Sequence, residues 1–580
     1  MFKVYTKIGW FLRRHILGYA VLIGLLFVIM VFALSPAYVL GRAIDTIITS
    51  GLTMERLLLA SGLLVILPLT RYLVSFLYNH LSQKMAQRLT FEMRERYLAH
   101  LFEMDATFYE TYEKGDLIAR VTADLDAITQ AASGMLEGIV FNVGIVLFAI
   151  LIMVTTVSPV LTVLSVTVMP VGLTLLNVMR IRKRKYFKRH REIYAGMTEK
   201  ILESVEGQKA IRAYVQEERD LESQKKAITD DIESWRYIVR FENWFNPMFE
   251  AVYGLSYVLA FAFGIAFIFN GDLTLGALLS FVTYIGILYN PIISISNILA
   301  QLNNAGIAID RIDEIMTHRT VVHDETDPKP ILTFKEITFK DVSFKYPFDR
   351  KPTIRNLTFT IRHGMTIGIV GPTGSGKSTL IRQLLREFNT TSGDILIEGE
   401  PISRYSVDTV RGLVGYVPQQ HIIFKRSVED NILIGNPAAN HERFERAIRM
   451  ADFEKDLIHL QHAVHTMVSE AGASLSGGQK QRLSIARALI RDPEILILDD
   501  SLSAVDAETE TTIIGHLKDM RKGKTNIIVA HRFSAIRHAD LILVLDHGSI
   551  AMQGTHETLM KQDGFYRRQA LSQAMSEASE

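Results

Sequence analysis

The sequence contains no cysteine. Disulfides, thiolate metal sites and a cysteine nucleophile are therefore excluded. An excess of charge is also missing: 63 Lys and Arg stand against 62 Asp and Glu, a net +1. A nucleic-acid binder would carry a basic surplus to neutralise phosphates, so nucleic acid is not an expected partner. The chain does have length and apolar content, with 580 residues of which 48% are hydrophobic. One core cannot serve so long a chain, and at least two domains are expected. The apolar residues are uneven. Long uncharged runs fill the first half and an alternating, soluble pattern fills the second, so a membrane part is joined to a soluble part.

Crossing about 30 Å of hydrocarbon takes roughly 20 apolar residues. Segments of that kind lie near 16–38, 57–79, 138–157, 159–179, 249–269 and 273–298, which gives an expectation of six spans. The third and fourth form one run divided at Ser158-Pro159, read as a tight turn at the far membrane surface. Lys3, Lys7, Arg13 and Arg14 precede the first run as in a signal peptide, but the run is too long for one and further spans follow. Lys and Arg gather at the N-terminus, in 81–137 and in 180–248, where "RIRKRKYFKRHR" begins at Arg180. The positive-inside rule makes all three cytoplasmic, and an even number of spans puts the C-terminal domain there too. The basic run reads as a helix extension near anionic headgroups. Arg71, Glu250 and Asn142 are polar residues at membrane depth, where such groups face a cavity or a partner. With Trp244, Phe245, Phe249, Tyr253, Tyr257, Tyr284 and Tyr289 of spans five and six, Glu250 is a candidate lining for a cavity that takes hydrophobic or cationic small molecules.

From residue 331 short strands and helices alternate. "ILTFKEITFKDVSFKY" has the period of half-buried strands. "TIGIVGPTGSGKSTL" then gives an apolar strand, a glycine-rich turn and a helix start. Gly371, Thr373, Gly374, Ser375 and Gly376 form a phosphate loop whose small residues let backbone N–H groups curl around phosphate oxygens. Lys377 would reach the β- and γ-phosphates of ATP, and the Ser378 hydroxyl, followed by Thr379, would bind Mg2+. Downstream, "ILILDD" is a buried strand that ends in Asp499 and Asp500, the first of which is placed to face the magnesium. Between them "LSGGQKQRLSIARALI" starts a second helix at Ser476, Gly477, Gly478 and Gln479, itself an anion site.

LSGGQ, with the phosphate loop before it and the aspartate strand after it, resembles the ATP-binding-cassette (ABC) transporters, and the likeness covers nearly the whole chain. It implies a membrane all-α domain of six transmembrane helices with long cytoplasmic extensions, followed by a cytoplasmic α/β cassette. The expected divisions are 1–315 for the membrane domain, 316–330 for a linker and 331–575 for the cassette, and the expected location is the cell membrane. In that family two cassettes pack head to tail, so the signature of one chain serves the nucleotide of the other. By motif, the resemblance makes Tyr346 the aromatic stacked on adenine, Gln419 the glutamine that touches Mg2+, Glu470 a loop acid that senses cytoplasmic helices, Asp506 a contact to the other cassette and His531 the switch histidine at the γ-phosphate. "FYETYEKGDLIARVTADLD" and "ESVEGQKAIRAYVQEE" resemble exporter cytoplasmic loops, with coupling helices expected near 106–114 and 208–216.

The family usually has glutamate after the magnesium aspartate. Here the residue is Asp500, one methylene shorter. A carboxylate misplaced by about 1 Å can cost on the order of 100-fold in rate, while the binding groups stay in place. The pattern of a weak acid with an intact signature resembles one half of the bacterial heterodimeric multidrug exporters. The implied function is ATP-driven export of amphipathic compounds alongside a second half-transporter. Lipid flipping, peptide export and a regulatory ATPase or channel subunit remain alternatives.

Overall fold

A computed structural model describes residues 3–51, 53–502, 506–530 and 532–577. The chain packs as two units, Met1–His100 with Gly115–Thr317, and Leu101–Lys114 with His318–Glu580. The segment 101–114 was expected to serve as a loop of the membrane half. By packing, it belongs with the C-terminal unit.

The first unit is helical. Its longest elements are Ile16–Ser50, Met54–Glu103, Val168–Glu206, Glu217–Phe269 and Leu275–Thr317. At 1.5 Å per residue the 50 residues of Met54–Glu103 reach about 75 Å, far beyond a bilayer core. Among the described residues, five stretches are long and apolar enough to cross a membrane: Ile16–Ser50, Met54–Glu103, Lys114–Val157, Glu250–Phe269 and Leu275–Ile295. The fourth expected span begins on Pro159–Gly172, a shorter apolar stretch among the described residues, and the helix Val168–Glu206 carries the apolar sequence on to Met179 before Arg180. The turn expected at Ser158-Pro159 is there. Ser158 caps Pro159–Val166 by accepting from Leu161 N at 3.3 Å, and proline takes the first helical position, where no N–H is needed.

The seam between Ile16–Ser50 and Leu275–Thr317 is set by small residues. A Cβ on Gly276 would lie 2.1 Å from the Gly41 carbonyl, and one on Gly41 would lie 1.8 Å from Ser280 Oγ. Close approach of this kind is how membrane helices gain packing without a hydrophobic driving force. Ser280 Oγ donates to Ala37 O at 2.8 Å, and Asp45 accepts from Thr274 Oγ1 at 2.7 Å and Gly276 N at 2.8 Å. Farther along, Arg120 is 6% exposed, yet it pairs with Asp116 at 2.7 Å and Glu314 at 2.9 Å, while Arg311 holds Asp124 at 3.1 Å. Arg120 opens a π-helical turn, Arg120–Asp124.

The C-terminal unit holds two sheets. Its strands are β1 (Glu336–Phe344), β2 (Ile354–Arg362), β3 (Thr366–Val370), β4 (Ser392–Ile397), β5 (Glu400–Pro401), β6 (Val414–Val417), β7 (Ile495–Asp499), β8 (Thr525–Val529), β9 (Leu541–Asp546) and β10 (Ser549–Gly554). The order β2-β1-β4-β5 forms an antiparallel sheet, and β10-β9-β3-β8-β7-β6 forms a sheet that is parallel except at β10. β7 and β8 are buried at every residue, as parallel strands covered on both faces must be. Because β3, β7 and β8 run side by side, the turn after β3 and the aspartates ending β7 come to the same edge of the sheet.

Candidate functional site

After β3 the chain turns through Gly371–Gly376 into the helix Lys377–Leu384. A Cβ on Gly371 would stand 2.1 Å from Leu545 O, and one on Gly376 would meet Ile354 Cγ2 at 2.9 Å. Gly376 also has φ +97°, a left-handed conformation that glycine adopts at no cost. Thr373 and Gly374 are exposed at the tip, whereas Ser375 is buried and its hydroxyl lacks a hydrogen-bond partner. The result is a small-residue cradle with an unused hydroxyl.

Lys377 is 8% exposed and its Nζ donates to the loop carbonyls of Gly371 at 2.8 Å and Pro372 at 3.0 Å. Burial pulls its ammonium below the usual lysine range, and the charges of Asp500 and Asp499 pull back. A lysine tied to carbonyls in this way is ready to exchange them for phosphate oxygens. Ser378 Oγ donates to Asp499 Oδ1 at 3.2 Å, and the hydroxyl of Tyr416 on β6 donates to Asp499 Oδ2 at 3.3 Å. Burial, with the Asp500 charge adding to it, holds the Asp499 carboxyl above the usual range against those two hydrogen bonds. Raised in this way, the carboxylate gains from a nearby cation.

Mg2+ is usually held by one or two carboxylates together with substrate phosphates and water rather than by an all-protein cage. No group of three or more His, Asp or Glu among the described residues could hold a metal ion alone. One carboxylate, Asp499, and one hydroxyl, Ser378, beside a phosphate loop fit a magnesium that arrives with a nucleotide. Gln419, exposed beyond β6, donates from Nε2 to Asp500 Oδ2 at 3.2 Å. Asp500 has φ 49° and its N–H donates to Val529 O at 2.9 Å.

Tyr346 is half-buried. Its ring is edge-on to Phe344 at 4.9 Å and to Phe388 at 5.3 Å, and its hydroxyl meets Thr379 Oγ1 at 3.2 Å. The structure thus brings together the phosphate loop, Asp499, Asp500, Gln419 and Tyr346. The signature stands apart from them. Ser476 and Gln479 form a reciprocal capping box on the helix Gly477–Leu489, Gln479 N to Ser476 Oγ at 3.3 Å and Ser476 N to Gln479 Oε1 at 3.0 Å. Ser476 and Gly477 are exposed and Gly478 partly so, which leaves this helix start facing outward. Glu470 is exposed in a 3-10 turn. Asp506 caps the helix Ala507–Met520 by accepting from Thr509 N at 2.8 Å, and this bond, with one from the Thr509 hydroxyl at 2.7 Å, helps lower its carboxyl to about 2. His531 lies outside the described residues.

Sequence reasoning missed Tyr416, although it sits inside the quoted "VGYVPQ", since its role depends on β6 lying next to β7. It also missed Arg382, whose partner Glu110 is far away in the sequence. In the membrane unit Tyr253 packs on Tyr257 at 5.1 Å and on Tyr289 at 4.8 Å, Glu250, Arg71 and Trp244 are exposed, and Asn142 is satisfied by the carbonyls of Glu137 and Gly138. The side chains of Phe245 and Phe249 lie outside the described residues. An apolar cavity of about 440 Å³ is lined by Phe27, Leu34, Tyr38, Leu63, Phe148 and Tyr284.

Residues 19–292 match the ABC transporter transmembrane region and residues 354–503 match the ABC transporter family. The chain is 38% identical over 583 residues to the probable multidrug resistance ABC transporter ATP-binding/permease protein YheI of Bacillus subtilis, covering 100% of this chain and 99% of that one. It is 32% identical to the multidrug resistance-like ATP-binding protein MdlA of Escherichia coli, covering 100% and 98%. A solved bacterial Atm1-family ABC exporter with ATP bound superposes with a TM-score of 0.81 over 97% of this chain and 98% of that one, at 24% identity, and so shares the fold. The chain belongs to the ABC transporters, as an ATP-hydrolysing exporter with a helical transmembrane region followed by an α/β nucleotide-binding domain.

Proposed function

We propose that this exporter chain is the degenerate-site half of a heterodimeric multidrug-type pump in the cell membrane. It crosses the bilayer six times, the fourth crossing being built on Pro159–Gly172 and its continuation, with the N-terminus and cassette in the cytoplasm. Residues 1–315, apart from the segment 101–114 that packs with the cassette, form its membrane domain, 316–330 a linker and 331–575 the cassette. The observation that carries the reading is Asp500, an acid one methylene short at the end of an otherwise complete set of binding groups. Gly371, Thr373, Gly374, Ser375, Gly376 and Thr379 cradle the phosphates of ATP, Lys377 neutralises them, and Tyr346 stacks on adenine. Ser378, Asp499 and Gln419 hold Mg2+, which when bound offsets phosphate charge. The short Asp500 orients the attacking water poorly, so this site retains ATP and turns it over slowly. His531 contacts the γ-phosphate. Ser476, Gly477, Gly478 and Gln479 complete the partner's nucleotide site, where most hydrolysis takes place. Glu250 and nearby aromatics of spans five and six attract cationic, apolar compounds, and the apolar cavity beside Tyr284 suits their hydrophobic parts.

Two substitutions test the asymmetry in the purified complex. Ser476→Arg blocks the signature that serves the partner and should abolish most ATPase activity, on the order of 100-fold. Lys377→Ala affects only the slow site and should leave a measurable fraction. Equal losses would mean two equivalent sites, and the heterodimer reading would be wrong.

A further inference from the structure

Within the C-terminal unit, the helix Ala106–Thr111, the phosphate-loop helix and Tyr346 meet at one guanidinium. Arg382 donates from Nη1 and Nη2 to Glu110 Oε1 at 3.1 Å each, from Nη1 to the Tyr346 hydroxyl at 3.2 Å, and from Nε to Glu387 at 2.7 Å. Its Cζ lies 4.8 Å from the Phe388 ring centroid. The side chains of Arg382 and Glu110 are 29% and 43% exposed, so their pairing adds little to stability. What it supplies is geometry. A guanidinium is a planar fork with its donors in fixed directions. Glu387 and Phe388 hold one side of the fork, and the other side is shared between Tyr346 and Glu110, so neither can shift without turning the group that the other relies on.

We infer that Arg382 is a positioning residue that links base-facing Tyr346 to segment 101–114 through Glu110, so that a base arriving on Tyr346 biases where that segment sits. This inference rests on the proposed placement of adenine against Tyr346. Thr379 holds the Tyr346 hydroxyl from the phosphate-loop side, so movement of the ring is passed to Arg382 rather than absorbed by free rotation. At a site that binds ATP and hydrolyses it slowly, the bias outlasts a single turnover.

The test uses the full complex in vesicles, with wild type, Arg382→Ala, Arg382→Lys, Glu110→Gln and the Arg382→Ala/Glu110→Gln double variant. It measures substrate transported per ATP hydrolysed, together with photo-crosslinking of azido-ATP to this chain. Each single variant should lower transport per ATP by about threefold or more, and the double variant should be no worse than the lower single. Arg382→Lys keeps the charge without the fork and should recover only part. Crosslinking should stay within about twofold of wild type, because these residues do not hold the phosphates. Unchanged transport per ATP in Glu110→Gln, an isosteric change, or additive losses in the double variant, would overturn the relay. Tyr346→Leu separates the two readings. If crosslinking does not fall, the base is not on Tyr346, and both the nucleotide reading and the relay fail; if it falls while Glu110→Gln stays fully coupled, only the relay fails.

Discussion

Replacing Asp105 by alanine should loosen the chain where it passes from the membrane unit into the cassette. Asp105 is 8% exposed and accepts four hydrogen bonds: Phe108 N at 3.1 Å through Oδ1, and Thr320 Oγ1 at 2.8 Å, Val321 N at 2.6 Å and Val322 N at 3.0 Å through Oδ2. One carboxylate therefore caps the helix Ala106–Thr111 and pins residues 320–322. Losing the cap costs about 1 kcal/mol. The N–H of Val322, a residue 8% exposed, is left without a partner at about 1–3 kcal/mol, whereas Val321 is 53% exposed and water can replace its bond. The total is about 3 kcal/mol.

Burial raises the Asp105 carboxyl, but its donors outweigh that effect and hold it below the usual carboxylate range. With the folded value depressed, the contribution is complete above the unfolded value and fades only as pH falls through the folded one, so Asp105→Ala should have the same effect at pH 6 and pH 8. All three tryptophans, Trp10, Trp235 and Trp244, lie in the other unit, so tryptophan fluorescence would not report the change. Amide hydrogen exchange on the full-length protein does report it. Protection at Val322 should fall by about two orders of magnitude, since each factor of ten is about 1.4 kcal/mol. Exchange at Val322 within about twofold of wild type would refute the reasoning.

Two further substitutions probe the packing of each unit. Gly276→Ala puts a methyl 2.1 Å from the Gly41 carbonyl and should destabilise the helix seam by about 1–3 kcal/mol, lowering the apparent melting temperature and yield in detergent, while Gly254→Ala, with nothing within 4 Å, should be neutral. Arg482 and Asp456 form a bidentate pair at 2.6 and 2.7 Å with side chains 9% and 7% exposed, so Asp456→Ala strands a buried guanidinium and should cost about 3–5 kcal/mol, read as thermal inactivation of ATPase activity.

Those parts of the site that depend on local sequence were legible. A phosphate loop needs residues without bulk after an apolar strand, and the contacts that a Cβ would make at Gly371 and Gly376 show why. The turn at Ser158-Pro159 was legible for the same reason, since cap and proline act within one turn. Tyr416, Thr379, Arg382 and Asp105 were not legible in these roles. Tyr416 reaches Asp499 across 83 residues, Arg382 reaches Glu110 across 272, and Asp105 reaches Val322 across 217, distances that no periodicity encodes.

On the proposed reading, the determinants of nucleotide binding and of turnover are separate in this chain. The cradle depends on backbone contacts at Gly371 and Gly376 that tolerate no side chain, and on Lys377, Ser378 and Asp499, each held by its own hydrogen bonds. The acid after β7 depends on one side chain. Asp500 stands at φ 49°, a left-handed conformation in which aspartate is enriched over longer side chains, and its N–H is fixed to Val529 O at 2.9 Å. A short acid therefore suits the turn that carries it, and the phosphate loop itself is built without it. Evolution can slow such a site in a single step without emptying it. On the Arg382 inference a slowed site keeps a use, because the arm from Tyr346 to Glu110 responds to occupancy and has no need of hydrolysis.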